Sequence, residues 1–141
     1  LSYIFISHDL AVIRAMSHRV LVMKDGDVVE EAETLALFEA PQHPYTRELL
    51  RSTISLRTTG LNYIDGAPPD LVEPPSGCHF HPRCPDAMLV CATRHPVERE
   101  HAGGTRAQCW AADFKDGLAE DVPESERAPL EREEISVADE A

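Results

Sequence analysis

The sequence predicts an α/β fold, and three observations carry that prediction. Tyr3-Ile4-Phe5-Ile6 is apolar on both faces, as a strand inside a helix-covered parallel sheet is. Strand candidates Arg19 to Lys24 and Asp27 to Glu31 flank Asp25-Gly26, a pair that tolerates the positive φ of a tight hairpin turn. Between the first run and the hairpin, Leu10 and Ile13 recur at helical spacing.

Composition sets the outer bounds. The chain has 141 residues, 43% hydrophobic and 27% charged, with a net charge of −12, which is ordinary for one soluble domain. No run approaches the roughly 18 apolar residues of a spanning helix, and no signal peptide precedes the first strand, so a cytosolic protein is expected. Thirteen basic residues against 25 acidic ones leave little to neutralise a phosphate backbone, which argues against nucleic acid as a partner.

The elements follow in order. A buried strand at Tyr3 to Ile6 needs neighbours on both sides that a single hairpin does not supply, so the chain reads as the C-terminal part of a longer protein. Ser7 or Asp9 can cap the short helix that begins at Leu10. His8 then stands where a strand ends and a helix begins, the edge of an open sheet at which phosphates collect. Thr34 can cap a second helix that Pro41 stops. Pro44 suits the first turn of a third, whose Leu49, Leu50 and Ile54 can pack on the sheet, while His43 and Tyr45 fix the intervening loop.

From Thr58 to Pro96 the sequence turns to loop, with Pro68-Pro69 and Pro74-Pro75 restricting the backbone. All four cysteines stand in or just beyond this stretch, Cys78, Cys84, Cys91 and Cys109, spaced C-x5-C-x6-C-x17-C. In a reducing compartment two disulfides are a poor explanation, and four thiolates around one metal fit better. The spacing lacks the paired short knuckles usual for zinc and accommodates the wider iron–sulfur cubane, without deciding between them. Four uncoordinated buried thiols are the plain alternative. The segment from Asp116 to Ala141 has no aromatic residue, and residues 113–141 hold 11 acidic and 3 basic side chains, so this tail is expected to be disordered.

Tyr3-Ile4-Phe5-Ile6-Ser7-His8-Asp9-Leu10-Ala11-Val12-Ile13, followed by His18 to Gly26, resembles the switch-histidine segment of ABC transporter ATPases. Ala40-Pro41-Gln42-His43-Pro44-Tyr45-Thr46 resembles the His-Pro-Tyr-Thr segment of the oligopeptide and dipeptide importers within that family. Pro74 to Pro85 and Ala107-Gln108-Cys109 resemble their C-terminal extension, some members of which bind a [4Fe-4S] cluster. The resemblance runs from about Ser2 to Trp110; one departure is Glu31-Ala32-Glu33 where the family commonly has a glycine.

The resemblance implies a division into the end of an ABC ATPase domain (1–56), a four-cysteine extension (57–112) and the acidic tail (113–141). His8 would contact the γ-phosphate of ATP, serving both nucleotide binding and catalysis, with Mg2+ supplied in the complete parent. Cys78, Cys84, Cys91 and Cys109 would hold a [4Fe-4S] cluster of structural purpose; zinc, held by all four or with His79 or His81 replacing one, is the runner-up. The chain has no Gly-x-x-x-x-Gly-Lys-Ser/Thr loop, no signature motif and no Asp-Glu strand, so by itself it should not hydrolyse ATP. The implied partners are a second ABC ATPase subunit, two transmembrane permeases and, indirectly, a peptide-binding protein, at the cytoplasmic face of the membrane. The competing reading is a stand-alone metal-binding module or a decayed gene fragment.

Overall fold

A computed structural model describes residues 1–54, 64 and 72–131 of the chain. Its centre is a four-stranded antiparallel sheet, in the order β1-β2-β4-β3, formed by β1 (Arg19–Lys24), β2 (Asp27–Glu33), β3 (Arg99–Glu100) and β4 (Arg106–Ala107). The helices are α1 (Leu10–Met16), α2 (Thr34–Glu39), α3 (Pro44–Ile54), α4 (Leu89–Thr93) and α5 (Trp110–Lys115). Among the described residues none of these helices is long and apolar enough to cross a membrane.

The hairpin forms as its turn dictates. Asp25 at φ 49° and Gly26 at φ 91° both adopt the left-handed conformation of the two-residue turn that matches strand twist. Val20 and Val22 of β1 meet Val29 and Ala32 of β2, and Ile13 of α1 and Leu37 of α2 close the cluster from the helix side. Asp9 caps α1, its Oδ1 accepting from the amides of Ala11 at 2.9 Å and Val12 at 3.2 Å. Pro44 occupies the first position of α3, Leu50 is buried, and Leu49 packs on the hairpin core. The packing expected of Ile54 falls outside the described side chains.

Three expectations are corrected, and one strand pairing crosses the expected division at residue 57. Tyr3 to Ile6 form no strand: Tyr3, Ile4 and Ile6 are almost wholly exposed, because among the described residues no neighbouring strand offers them backbone partners. Thr34 does not cap α2; its hydroxyl donates to the Ser17 carbonyl at 2.7 Å and lies 3.0 Å from the Ser17 hydroxyl, tying the end of α1 to the start of α2. Across that division β4 pairs with β2 in register Glu30 to Ala107 and Glu31 to Arg106. Residues 113–131 are not an undocked tail.

That last segment is held by a few well-placed apolar groups rather than by periodicity. Ala119 and Val122 are buried against Val90, Cys91 and Trp110, and Met88 bridges Pro129 across a short antiparallel contact. Leu130 donates its amide to the Ala87 carbonyl at 2.8 Å. The guanidinium groups of Arg94 and Arg99 lie over the Trp110 ring, and both reach Asp121, so charge that looked like a solvated tail closes over an aromatic. Residues 132–141, the remainder of the expected disorder, lie outside the described residues.

Two buried acids organise the interior. Glu30, 1% exposed on β2, accepts the amide of Gln42 at 2.7 Å on one oxygen and that of His43 at 3.0 Å on the other. Burial raises its carboxyl above the ordinary range while these bonds pull it down. Asp113, wholly buried, faces Arg99 at 3.4 Å and His101 at 3.5 Å, and burial raises its carboxyl to about 6 against those neighbours.

Glu30→Ala strips two buried amides of their acceptor and is expected to cost about 3 kcal/mol in a urea unfolding experiment. For Asp113 the folded state keeps its proton longer than the unfolded chain, whose carboxyl titrates near 3.8. Stability therefore falls as pH rises from about 4 to about 6, by on the order of 3 kcal/mol. The difference between wild type and Asp113→Asn, measured by urea unfolding across that range, should show this fall, and parallel pH profiles would contradict it.

Candidate metal centre

Tight turns fold the cysteine region. Gly77 has φ +66°, and a Cβ there would lie 2.3 Å from the Cys91 carbonyl oxygen, so only glycine lets the chain pass this close to α4. Immediately after it, the Cys78 amide donates to that same carbonyl at 2.8 Å, while the Ser76 hydroxyl donates to the Ala92 carbonyl at 2.7 Å. His81, Arg83, Cys84 and Ala87 each donate an amide to the carbonyl three residues back, and Phe80, Cys84 and Ala87 pack in one buried cluster.

The four thiols come from three separate stretches. Cys78 packs both with the cluster containing Cys91 and with that containing Cys84. Cys109 immediately precedes α5 and is 6% exposed. The sulfurs feel one another: a thiolate at Cys78 or Cys91 disfavours one at Cys84, and Cys109 is disfavoured by Cys84 and Cys78. All four are thiols.

Burial dominates their electrostatics. Burial pushes the Cys78 thiol up to about 11 and the Cys84 thiol up to about 12, and it also raises Cys91 and Cys109. Backbone amides work against burial at each sulfur: Phe80 and His81 at Cys78, Asp86 at Cys84, Met88 at Cys91, and Ala112 and Ala111 at Cys109. Apolar burial with inward-pointing amides keeps free thiols protonated, yet supplies the hydrogen bonds that metal-held thiolates accept. These features suit protonated, uncoordinated thiols as well as metal-held thiolates. Among the described residues the trio of His, Cys, Asp or Glu ligand atoms within 4.8 Å of one another is Asp27, His79 and His95, so no three of the sulfurs are that close.

The other sequence candidates are placed elsewhere. His8 is exposed just ahead of the α1 cap and joins none of the buried clusters. His81 turns its Nδ1 to the Cys78 carbonyl at 2.9 Å, and His79 sits 3.0 Å from Asp27 instead of among the sulfurs. Arg83 donates to the Ile64 carbonyl at 2.6 Å. His43 is buried, its amide on Glu30 and its Nδ1 accepting from the Tyr45 amide at 3.0 Å, and burial lowers its imidazole to about 4. Both the His43 and Tyr45 rings face Phe80, at 6.0 and 5.3 Å between centroids. His43 and Tyr45 thus fix the loop, as expected, and also seat the cysteine turns. The amides facing the sulfurs carried no signal in the sequence, because a backbone donor has no residue type.

Residues 29–91 match the family described as the oligopeptide/dipeptide transporter, C-terminal region. The chain is 42% identical over 114 residues to a dipeptide transport ATP-binding protein of Bacillus subtilis, covering 79% of this chain and 34% of that protein. It is also 42% identical over 111 residues to an oligopeptide transport ATP-binding protein of the same organism, covering 77% and 34%. To a dipeptide transport ATP-binding protein of Haemophilus influenzae it is 38% identical over 117 residues, covering 80% and 36%. The chain spans about a third of the length of the curated relatives it matches.

Gly77→Ala forces a Cβ into the Cys91 carbonyl and strains the left-handed backbone at once. The variant should lose at least about 2 kcal/mol in chemical unfolding and expose Cys78 and Cys91 to a thiol reagent. Wild-type stability with unchanged thiol protection would show that this close passage does not hold the cysteines.

Proposed function

We propose that the chain is the C-terminal part of the ATP-hydrolysing subunit of an ABC importer for peptides. The match of residues 29–91 to the transporter C-terminal region carries this reading, supported by relatives whose names state peptide transport and ATP binding. In the assembled subunit His8 meets the γ-phosphate of ATP beside Mg2+, and the phosphate-binding loop, signature motif and Asp-Glu strand come from outside these 141 residues. The subunit pairs with a second ATPase subunit beneath two transmembrane permeases at the cytoplasmic face of the membrane, fed by a peptide-binding protein.

Cys78, Cys84, Cys91 and Cys109 hold a [4Fe-4S] cluster in this reading. The resemblance of Pro74 to Pro85 and Ala107-Gln108-Cys109 to the importers' C-terminal extension supports the cubane over zinc. The cluster's task is structural: it supplies folding free energy where the apolar core is small, joining Cys78 and Cys84 to α4 and α5.

Two measurements test the two halves. In the full-length subunit, His8→Ala should lower ATP turnover roughly 100-fold with nucleotide affinity nearly unchanged, since the imidazole acts on the transition state. Full turnover would remove His8 from the reaction. Protein isolated without oxygen should contain iron and acid-labile sulfide, and any single Cys→Ser variant should lose both; stoichiometric zinc in place of iron would overturn the cluster.

A further inference from the structure

A second group of ligand atoms lies beside the cysteine region and takes no part in it. Asp27, first residue of β2, directs Oδ2 at two imidazoles brought from distant parts of the chain: His79 Nδ1 at 3.0 Å and His95 Nε2 at 3.1 Å. The two rings stand nearly perpendicular, 5.4 Å between centroids. The three ligand atoms lie within 4.8 Å of one another and border a small cavity that Gln108 also lines.

Hydrogen bonding alone accounts poorly for this arrangement. His95 Nδ1 lies 2.9 Å from the Pro96 carbonyl oxygen, which can only accept, so Nδ1 carries the proton. In the neutral ring the Nε2 lone pair then faces a carboxylate oxygen, a repulsive contact that a proton on Nε2 or a bound cation relieves. His79 Nδ1, although 3.0 Å from the same oxygen, is buried and makes no aligned hydrogen bond among the described residues. Gln108 Oε1, an acceptor lining the same cavity, is likewise buried without a hydrogen-bond partner there. The orphaned His79 Nδ1 stands beside the Asp27 carboxylate, and the orphaned Gln108 Oε1 belongs to a residue lining the same cavity, so both unpartnered atoms suit a bound cation there.

We propose that Asp27, His79 and His95 form a binding site for a divalent transition metal of the zinc or iron(II) class, distinct from the four-cysteine centre. Two imidazole nitrogens and one carboxylate oxygen are a donor set that such ions take, with a position left open. The bond from His95 Nδ1 to Pro96 is the outer contact that orients a ligating histidine and sets its tautomer. His95 is 45% exposed and Asp27 33%, so an ion can enter from solvent. Once bound, it fastens the hairpin turn to the Cys78 loop and to the connection before β3. This site rests on the geometry alone and stands whether or not the transporter reading does.

The test is a Co2+ titration of the tag-free full chain without oxygen, followed by visible and near-ultraviolet absorption. Cobalt on nitrogen and oxygen ligands gives weak d–d bands only, whereas cobalt on the cysteines adds strong sulfur-to-metal charge transfer. Wild type should bind one equivalent that brings no charge-transfer intensity. Asp27→Asn and His95→Ala should each weaken that equivalent at least about tenfold, with any charge-transfer component unchanged, and His81→Ala should leave it intact. Both variants alter partly exposed side chains, and their circular dichroism melts are expected to match wild type without metal. The proposal is overturned if the variants bind as much cobalt as wild type, if every bound equivalent shows charge transfer, or if wild type takes up none.

Discussion

Glu30 ties β2 to the turn before α3 through a single buried carboxylate. It sits on the strand that forms the hairpin core, and its two oxygens hold the amides that open the Gln42-His43 turn. From there His43 positions Tyr45, both rings bear on Phe80, and Phe80 packs in one buried cluster with Cys84 and Ala87. Removing the acceptor leaves buried donors unsatisfied at the head of this sequence of contacts, so the cysteine region inherits its position from a side chain far from any sulfur.

The sheet transmits the same constraint by a second route. Glu31, next to Glu30 but on the opposite face, pairs with Arg19 of β1 and Arg106 of β4, and burdened by neither deep burial nor isolation its carboxyl stays below the ordinary range. β4 runs directly into Cys109 and α5, and the Gln108 amide donates to the Val29 carbonyl at 2.9 Å. The fourth cysteine is thus delivered by a strand that the hairpin recruits, although 75 residues separate Arg106 from Glu31.

How much of this was legible depends on the range of the interaction. The hairpin, the Asp9 cap and Pro44 at the head of α3 follow from local rules, and local rules found them. β3 and β4 were missed because two-residue strands carry no periodicity; pairing with β2 makes them. Tyr3 to Ile6 has the pattern of a strand, but a pattern supplies no hydrogen-bond partner. Docking of residues 116–131 was hidden because it rests on Ala119, Val122 and arginines stacked over Trp110 and Phe114, which composition counts as tail. The cysteines stood out by residue type, whereas Asp27 and His95, 68 positions apart, have no spacing that announces them.

We propose that Cys78, Cys84, Cys91 and Cys109 hold one iron–sulfur centre in the assembled subunit. X-ray absorption at the iron edge of anaerobically isolated protein reads this directly. The account predicts an all-sulfur first shell with short iron–iron scattering, lost when any one of Cys78, Cys84, Cys91 or Cys109 is replaced by Ser. Iron bound to nitrogen and oxygen alone, or an iron–sulfur signal that survives loss of one of these cysteines, would contradict it.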